Sequence, residues 1–231
     1  MLAVEKLNQF YGGSHILWDV DLNLETGACA CLMGRNGVGK TTLLRCLMGL
    51  LPVASGSIRL KGHELTQEQA EHRARNGIGF VPQGRMIFPL LSVAENLQIG
   101  LGANRNRISR VPELIFELFP VLADMRSRRG GDLSGGQQQQ LAIARALVLE
   151  PELLILDEPC EGIQPSVVSE IGAVLQRLNQ EFGLTVLLVE QKLKFATSVA
   201  ERFVILERGR NVAHGRMEDL NDATIARYLT V

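Results

Sequence analysis

The sequence predicts an α/β fold: a mixed sheet with an antiparallel β portion towards its N-terminus, plus an inserted α-helical lobe. Three observations predict it. A glycine-rich loop, Gly34-Arg35-Asn36-Gly37-Val38-Gly39-Lys40-Thr41, joins a strand-like run to a helix-like run. A second run, Leu153-Leu154-Ile155-Leu156, is continuously apolar, as in a parallel strand covered on both faces, and it ends in Asp157 and Glu158. Between the two, residues 86–149 carry the spacing and capping signals of helices.

Taken in order, residues 2–33 alternate short β-like runs with turns at Tyr11-Gly12-Gly13 and Glu25-Thr26-Gly27. A helix is expected from about 39 to 50, behind the glycine-rich loop. Ser92-Val93-Ala94-Glu95 is a capping box, with Val93, Leu97 and Leu101 on one stripe. Pro112 suits a first helical turn; Leu114, Ile115, Leu118 and Phe119 follow, and Pro120 is expected to end that helix. A longer helix should run from 134 to about 149. After Pro151 the α/β pattern returns, with a helix carrying Val167, Ile171, Val174, Leu175 and Leu178 at helical spacing. A buried strand over 184–189, a hairpin around Arg208-Gly209-Arg210 and one short helix complete the chain. The expected organisation is a single domain over 1–231. Its core comprises 1–85 and 150–231, and the helical lobe 86–149.

Composition narrows the function classes. The 231 residues are 46% hydrophobic and 21% charged, ordinary for a globular protein and enough for one sizeable core. The net charge of −1 gives no support to bulk electrostatic binding of nucleic acid or anionic membrane. No apolar stretch reaches the length of a membrane span, and the first residues lack the pattern of a secretory signal. Cys29, Cys31, Cys46 and Cys160 have no zinc-type spacing and read as small buried hydrophobes. His15, His63, His72 and His214 do not cluster, and Arg126, Arg128 and Arg129 read as a solvated loop.

The glycine-rich loop carries chemistry. Gly34, Gly37 and Gly39 let the backbone approach phosphates, and the loop N–H groups and the following helix N-terminus point at negative charge. Lys40 is expected to reach the β- and γ-phosphates, and Thr41 to bind Mg²⁺ through its hydroxyl. Residues 34–42, including Arg35, Asn36, Val38 and Thr42, form the expected nucleotide cradle.

In this order, the loop, the segment Leu133-Ser134-Gly135-Gly136-Gln137 and the acidic strand end resemble the ATP-binding cassette (ABC) ATPases, which have a P-loop NTPase core. The resemblance covers nearly the whole chain. It implies that Asp157, with Thr41 and Gln83, holds magnesium, and that Glu158 polarises the attacking water. It implies that Gln83 joins core to lobe, and that Tyr11 stacks on adenine, with Phe10 as the rival. Ser134, Gly136 and Gln137 would close over ATP held by a partner subunit. Ser134 and Gln137 also satisfy a plain capping box, but that alone does not explain two glycines in a first helical turn.

Two departures stand out. Where the family commonly has a histidine facing the γ-phosphate, this chain has Gln191, which can donate a hydrogen bond but carries no charge. Where a loop aspartate usually crosses the dimer interface, this chain has Gln164. Gln191 and the loop Glu161-Gly162-Ile163-Gln164-Pro165 are similar to the branched-chain amino-acid and urea importers, and the segments 130–140 and Val189-Glu190-Gln191-Lys192-Leu193 look most like the second ATP-binding subunit of urea importers. The resemblance implies an ATPase needing ATP and Mg²⁺ and peripheral on the cytoplasmic face of the membrane. Its partners would be a second related ATPase, as a heterodimer or a homodimer, two permease subunits and, indirectly, an extracytoplasmic solute-binding protein. No nucleic acid is expected. The alternatives are a non-transport ABC ATPase and an ATP-gated dimerisation module with little hydrolysis.

Overall fold

The computed structural model describes residues 1–104 and 106–230. Strands β1 (Leu2–Tyr11), β2 (Ser14–Leu24) and β3 (Cys29–Met33) lead to helix α1 (Lys40–Leu47). Next come β4 (Ser55–Leu60), β5 (His63–Glu64), α2 (Ala70–Arg75) and β6 (Ile78–Val81). Four helices follow: α3 (Val93–Leu101), α4 (Glu113–Leu118), α5 (Pro120–Asp124) and α6 (Gly135–Leu147). The remainder is β7 (Leu153–Asp157), α7 (Pro165–Phe182), β8 (Thr185–Val189), α8 (Leu193–Val199), β9 (Arg202–Glu207), β10 (Arg210–Arg216) and α9 (Asp222–Tyr228).

The strands form an antiparallel sheet, β2-β1-β4-β5, and a mixed sheet, β10-β9-β3-β8-β7-β6, in which only the β9–β10 hairpin is antiparallel. The period-two alternation of a strand divides the mixed sheet's side chains between two cores. Cys31, Leu154 and Leu188 face one cluster with α3, α6, α7 and α8. Leu32, Ile155 and Leu187 face the other, with α1 and the antiparallel sheet. Covering on both faces is why these strands read as unbroken apolar runs. All four cysteines are buried, as small hydrophobes would be.

Local chemistry sets the helix ends. Ser92 and Ser134 each complete a capping box, with Glu95 and Gln137. Buried Asn96 then ties α3 to the preceding loop, accepting from the Phe88 N–H at 2.8 Å and donating to the carbonyls of Phe88, Leu91 and Ser92. The C-terminus of α1 is closed by Arg73, 1% exposed, which donates to the Cys46 and Leu47 carbonyls at 2.7 and 2.8 Å. A cation there meets the negative end of the helix dipole.

One sequence expectation holds and is extended. The helix α4 stops at Leu118, before Pro120 as expected; Pro120 also starts α5, directly after a break at Phe119 with φ −132° and ψ 74°. Proline tolerates the first helical position and bars the residue before it from helical backbone, so one proline both breaks and starts.

The pairing register matters for function. Val81 lies opposite Leu156, Asp157 opposite Val189, and Leu32 opposite Val189. The C-terminal ends of β3, β6, β7 and β8 therefore come level. The residues that follow them share one edge of the parallel sheet, where α/β folds place their ligands.

Candidate active site

The loop between β3 and α1 is held by its glycines. Gly34 has φ +142°, and a Cβ there would lie 2.3 Å from the Leu206 carbonyl oxygen. Gly39, the N-cap of α1, has φ +109° and offers no side-chain cap to the first helical turn. The N–H groups of that turn are left for an anion. Lys40 is 5% exposed and curls back, donating from Nζ to the carbonyls of Gly34 at 2.7 Å and Arg35 at 2.9 Å. Burial lowers its pKa below the usual lysine value, opposed chiefly by the charges of Glu158 and Asp157.

Asp157 ends β7 at 2% exposure. Neither carboxylate oxygen accepts a well-formed hydrogen bond. Burial raises its pKa; the Thr41 hydroxyl is the largest opposing influence, Glu158 adds to the rise, and Lys40 and Arg45 oppose it. Two orphaned buried carboxylate oxygens beside a hydroxyl are a donor set that suits a hard divalent cation such as Mg²⁺.

Glu158 follows with φ +49°, an uncommon backbone for a residue bearing a Cβ. Its N–H donates to the Val189 carbonyl at 2.9 Å, which fixes it against β8. Two amides converge on its carboxylate. Gln83 Nε2 donates to Oε2 at 3.3 Å, and Gln191 Nε2 donates to Oε1. The same Gln191 nitrogen donates to Asn36 Oδ1 at 2.6 Å, and the same Gln83 nitrogen to Glu161 Oε2 at 3.0 Å. A chain of side chains thus runs Asn36–Gln191–Glu158–Gln83–Glu161.

The turn bearing Gln191 has its own support. Glu190, 3% exposed, accepts the N–H groups of Gln191 at 2.8 Å and Lys192 at 3.0 Å on Oε1. Lys192 in turn donates to the Cys160 carbonyl at 2.6 Å.

Tyr11 and Phe10, at the end of β1, are each 44% exposed. The Phe10 ring is stacked on His15 at 4.0 Å, and His15 on Trp18 at 3.5 Å. His15 is therefore half-buried in a ring stack rather than a free surface residue. Among the described residues no ring contact engages Tyr11.

Ser134, Gly136 and Gln137 stand apart from this network: among the described residues no hydrogen bond joins them to the phosphate loop. Gly136 has a reason within the chain, whereas Gly135 faces only the movable end of an arginine. A Cβ at Gly136 would lie 2.9 Å from Val167 and 3.1 Å from Ile163, and one at Gly135 would lie 3.0 Å from the Arg85 guanidinium. The capping box alone still does not explain the glycines; the packing of Gly136 against Val167 and Ile163 adds a reason within the chain for that one.

The structure brings Asn36, Lys40, Gln83, Asp157, Glu158 and Gln191 to one edge. Sequence reasoning missed Glu161 and Glu190. The signals were small: Glu161 lies three residues beyond Glu158 across a proline, and Glu190 immediately precedes Gln191.

Residues 17–161 match the family model described as ABC transporter. The chain is 41% identical over 215 residues to the high-affinity branched-chain amino acid transport ATP-binding protein BraG of Pseudomonas aeruginosa, covering 93% of this chain and 92% of that protein. It is 35% identical to the probable branched-chain amino acid transport ATP-binding protein LivF of Archaeoglobus fulgidus, covering 95% and 94%. Among solved structures, a dimeric ATP-binding cassette in a post-hydrolysis state bound to ADP and Pi superposes with a TM-score of 0.83 at 27% identity, covering 94% of this chain and 99% of that one.

Proposed function

Because the chain belongs to the ABC transporter family, as an ATP-binding subunit with ATPase activity, we propose that it powers import of a small polar solute through a separate membrane permease. The solute would be of the branched-chain amino-acid or urea type. The observation that carries this reading is the 41% identity to BraG across 93% of the chain. Gln191 and the Glu161–Pro165 loop support it, as departures that this branch shares.

In this reading the whole chain is one cassette, with the core from 1–85 and 150–231 and the lobe from 86–149. Tyr11 stacks on adenine. The backbone of residues 34–42 wraps the phosphates, and Lys40 exchanges its two loop carbonyls for phosphate oxygens. Magnesium, held by Thr41, Asp157 and Gln83, would neutralise charge on the β- and γ-phosphates. Glu158 orients and polarises the attacking water. Gln191 holds Glu158 in place and donates a neutral hydrogen bond where a histidine would bring charge.

Ser134, Gly136 and Gln137 act on nucleotide held by the partner ATPase, a related but different subunit. Closure on ATP and release after hydrolysis move the loop that follows Gln83 and, with it, two permease subunits. Solute reaches them from an extracytoplasmic binding protein. The chain sits peripherally on the cytoplasmic face; no helix among the described residues is long and apolar enough to cross a membrane.

The test is association of the Glu158→Gln variant, followed by light scattering with and without ATP and Mg²⁺, alone and mixed with the neighbouring ATPase of its operon. Dimers that form only with ATP, and only in the mixture, are expected. ATP binding with no association in either case overturns the shared-site reading. A pull-down from native membranes that recovers this ATPase alone overturns the heteromer. Uptake of labelled leucine and urea by vesicles holding the assembled complex then decides the solute.

A further inference from the structure

Gln83 donates from a single nitrogen to two carboxylates, Glu158 Oε2 at 3.3 Å and Glu161 Oε2 at 3.0 Å. Ionised carboxylates only accept, so both contacts demand the NH₂ face of the Gln83 amide. The carbonyl oxygen Oε1 is thereby turned away from them, and no protein donor among the described residues takes it. The shorter contact is to Glu161, not to the acid expected to polarise water.

The position of Glu161 is built into a pinned turn. Its N–H donates to the Glu158 carbonyl at 3.2 Å, with Pro159 at the second position, and Gly162 follows at φ +64°. Cys160, between them, is 0% exposed, and its carbonyl is held by Lys192 at 2.6 Å. Glu161 itself is exposed and makes no ion pair among the described residues. A turn anchored on both sides thus presents a carboxylate without an ion pair among the described residues to the Gln83 amide, in the loop that follows β6.

We propose that Glu161 is a positioning residue for Gln83, fixing the amide so that its oxygen, not its NH₂, faces the metal–nucleotide side of the site. The proposal deepens the reading of Gln83 as a magnesium-facing residue and rests on it. An amide free to rotate would present an oxygen in only part of its population, and the apparent affinity for the cation would fall with that fraction. Because Gln83 also leads into the segment that precedes α3, Glu161 sets the resting position of that segment as well.

The test uses the intact chain and a fluorescent ATP analogue, MANT-ATP, titrated with Mg²⁺ and separately in EDTA. The proteins are wild type, Glu161→Ala, Gln83→Ala, the double variant and Lys40→Ala. Glu161→Ala is expected to raise the Mg²⁺ concentration for half-maximal tight binding about 5-fold, the effect of losing one modest hydrogen bond. Affinity in EDTA should stay at the wild-type value. The double variant should need no more Mg²⁺ than Gln83→Ala alone, because the two residues act as one unit. A wild-type Mg²⁺ requirement in Glu161→Ala overturns the proposal, and so do additive effects in the double variant. Nucleotide binding indifferent to Lys40→Ala is a different failure: it removes the nucleotide-site reading, and this inference with it.

Discussion

The Gln191 amide nitrogen donates to Glu158 and, at 2.6 Å, to Asn36 of the phosphate loop. One neutral side chain therefore spans the glycine-rich loop and the acid proposed to polarise water. Lacking charge, it contributes geometry rather than Coulomb attraction. Gln191→Ala should leave ATP affinity within about 2-fold and lower the turnover of the assembled transporter about 10- to 100-fold, the range of a lost positioning group. Gln191→Glu should be worse, since it sets a second carboxylate against Glu158. Steady-state ATPase assays of the reconstituted complex, resolved into kcat and KM, check both.

Asp157 is held at a cost that the proposed Mg²⁺ would relieve. Its carboxylate is buried and accepts no well-formed hydrogen bond, and burial raises its pKa above the usual 3.8, against the opposing Thr41 hydroxyl. The folded chain then keeps this proton to a higher pH than the unfolded chain, so stability falls as pH rises through the raised pKa. The full cost is present above that pKa and is gone below the usual aspartate value. Asp157→Asn should therefore stabilise the nucleotide-free chain at neutral pH by about 1–2 kcal/mol, with the gain shrinking as the pH falls. Urea denaturation of both proteins across the acidic range measures it. The same variant should lose the stabilisation that wild type gains from ATP with Mg²⁺.

Tyr11 and Phe10 are neighbours with equal exposure and different commitments. Phe10 is stacked on His15, whereas among the described residues no ring contact holds Tyr11. Tyr11→Ala should weaken MANT-ATP binding about 5-fold, the loss of one stacking contact. Phe10→Ala should cost stability in the β1–β2 hairpin and leave nucleotide affinity within about 2-fold. A larger affinity loss from Phe10→Ala would reverse the assignment of the adenine contact.

Much of this arrangement was legible in the sequence because its signals are local. The capping boxes at Ser92 and Ser134 need four consecutive residues, and both formed. The apolar runs ending at Asp157 and Val189 declared a doubly covered sheet. What escaped depends on contacts between distant segments. Glu161 meets Gln83 across 78 positions, and no periodicity encodes that. Pro120 was ambiguous for another reason, because proline is compatible both with a helix stop and with a helix start.

Gly136 separates packing from partnership. A Cβ there would lie 2.9 and 3.0 Å from the two Val167 methyls and 3.1 Å from Ile163, so Gly136→Ala must push α6 away from α7. The phosphate loop, Asp157 and Glu158 lie on other elements and make no hydrogen bond to this segment among the described residues. MANT-ATP affinity of the isolated chain should therefore stay within about 2-fold of wild type, while the overpacking lowers stability by about 1–3 kcal/mol. ATP-dependent association in the Glu158→Gln background should be lost, because a displaced helix N-terminus no longer presents its N–H groups to the partner's nucleotide. Val167→Ala supplies the control, since it removes the two methyls that the new Cβ meets. If Gly136→Ala/Val167→Ala restores stability but not association, the glycine is needed at the interface itself. If both return together, its role is confined to packing within this chain.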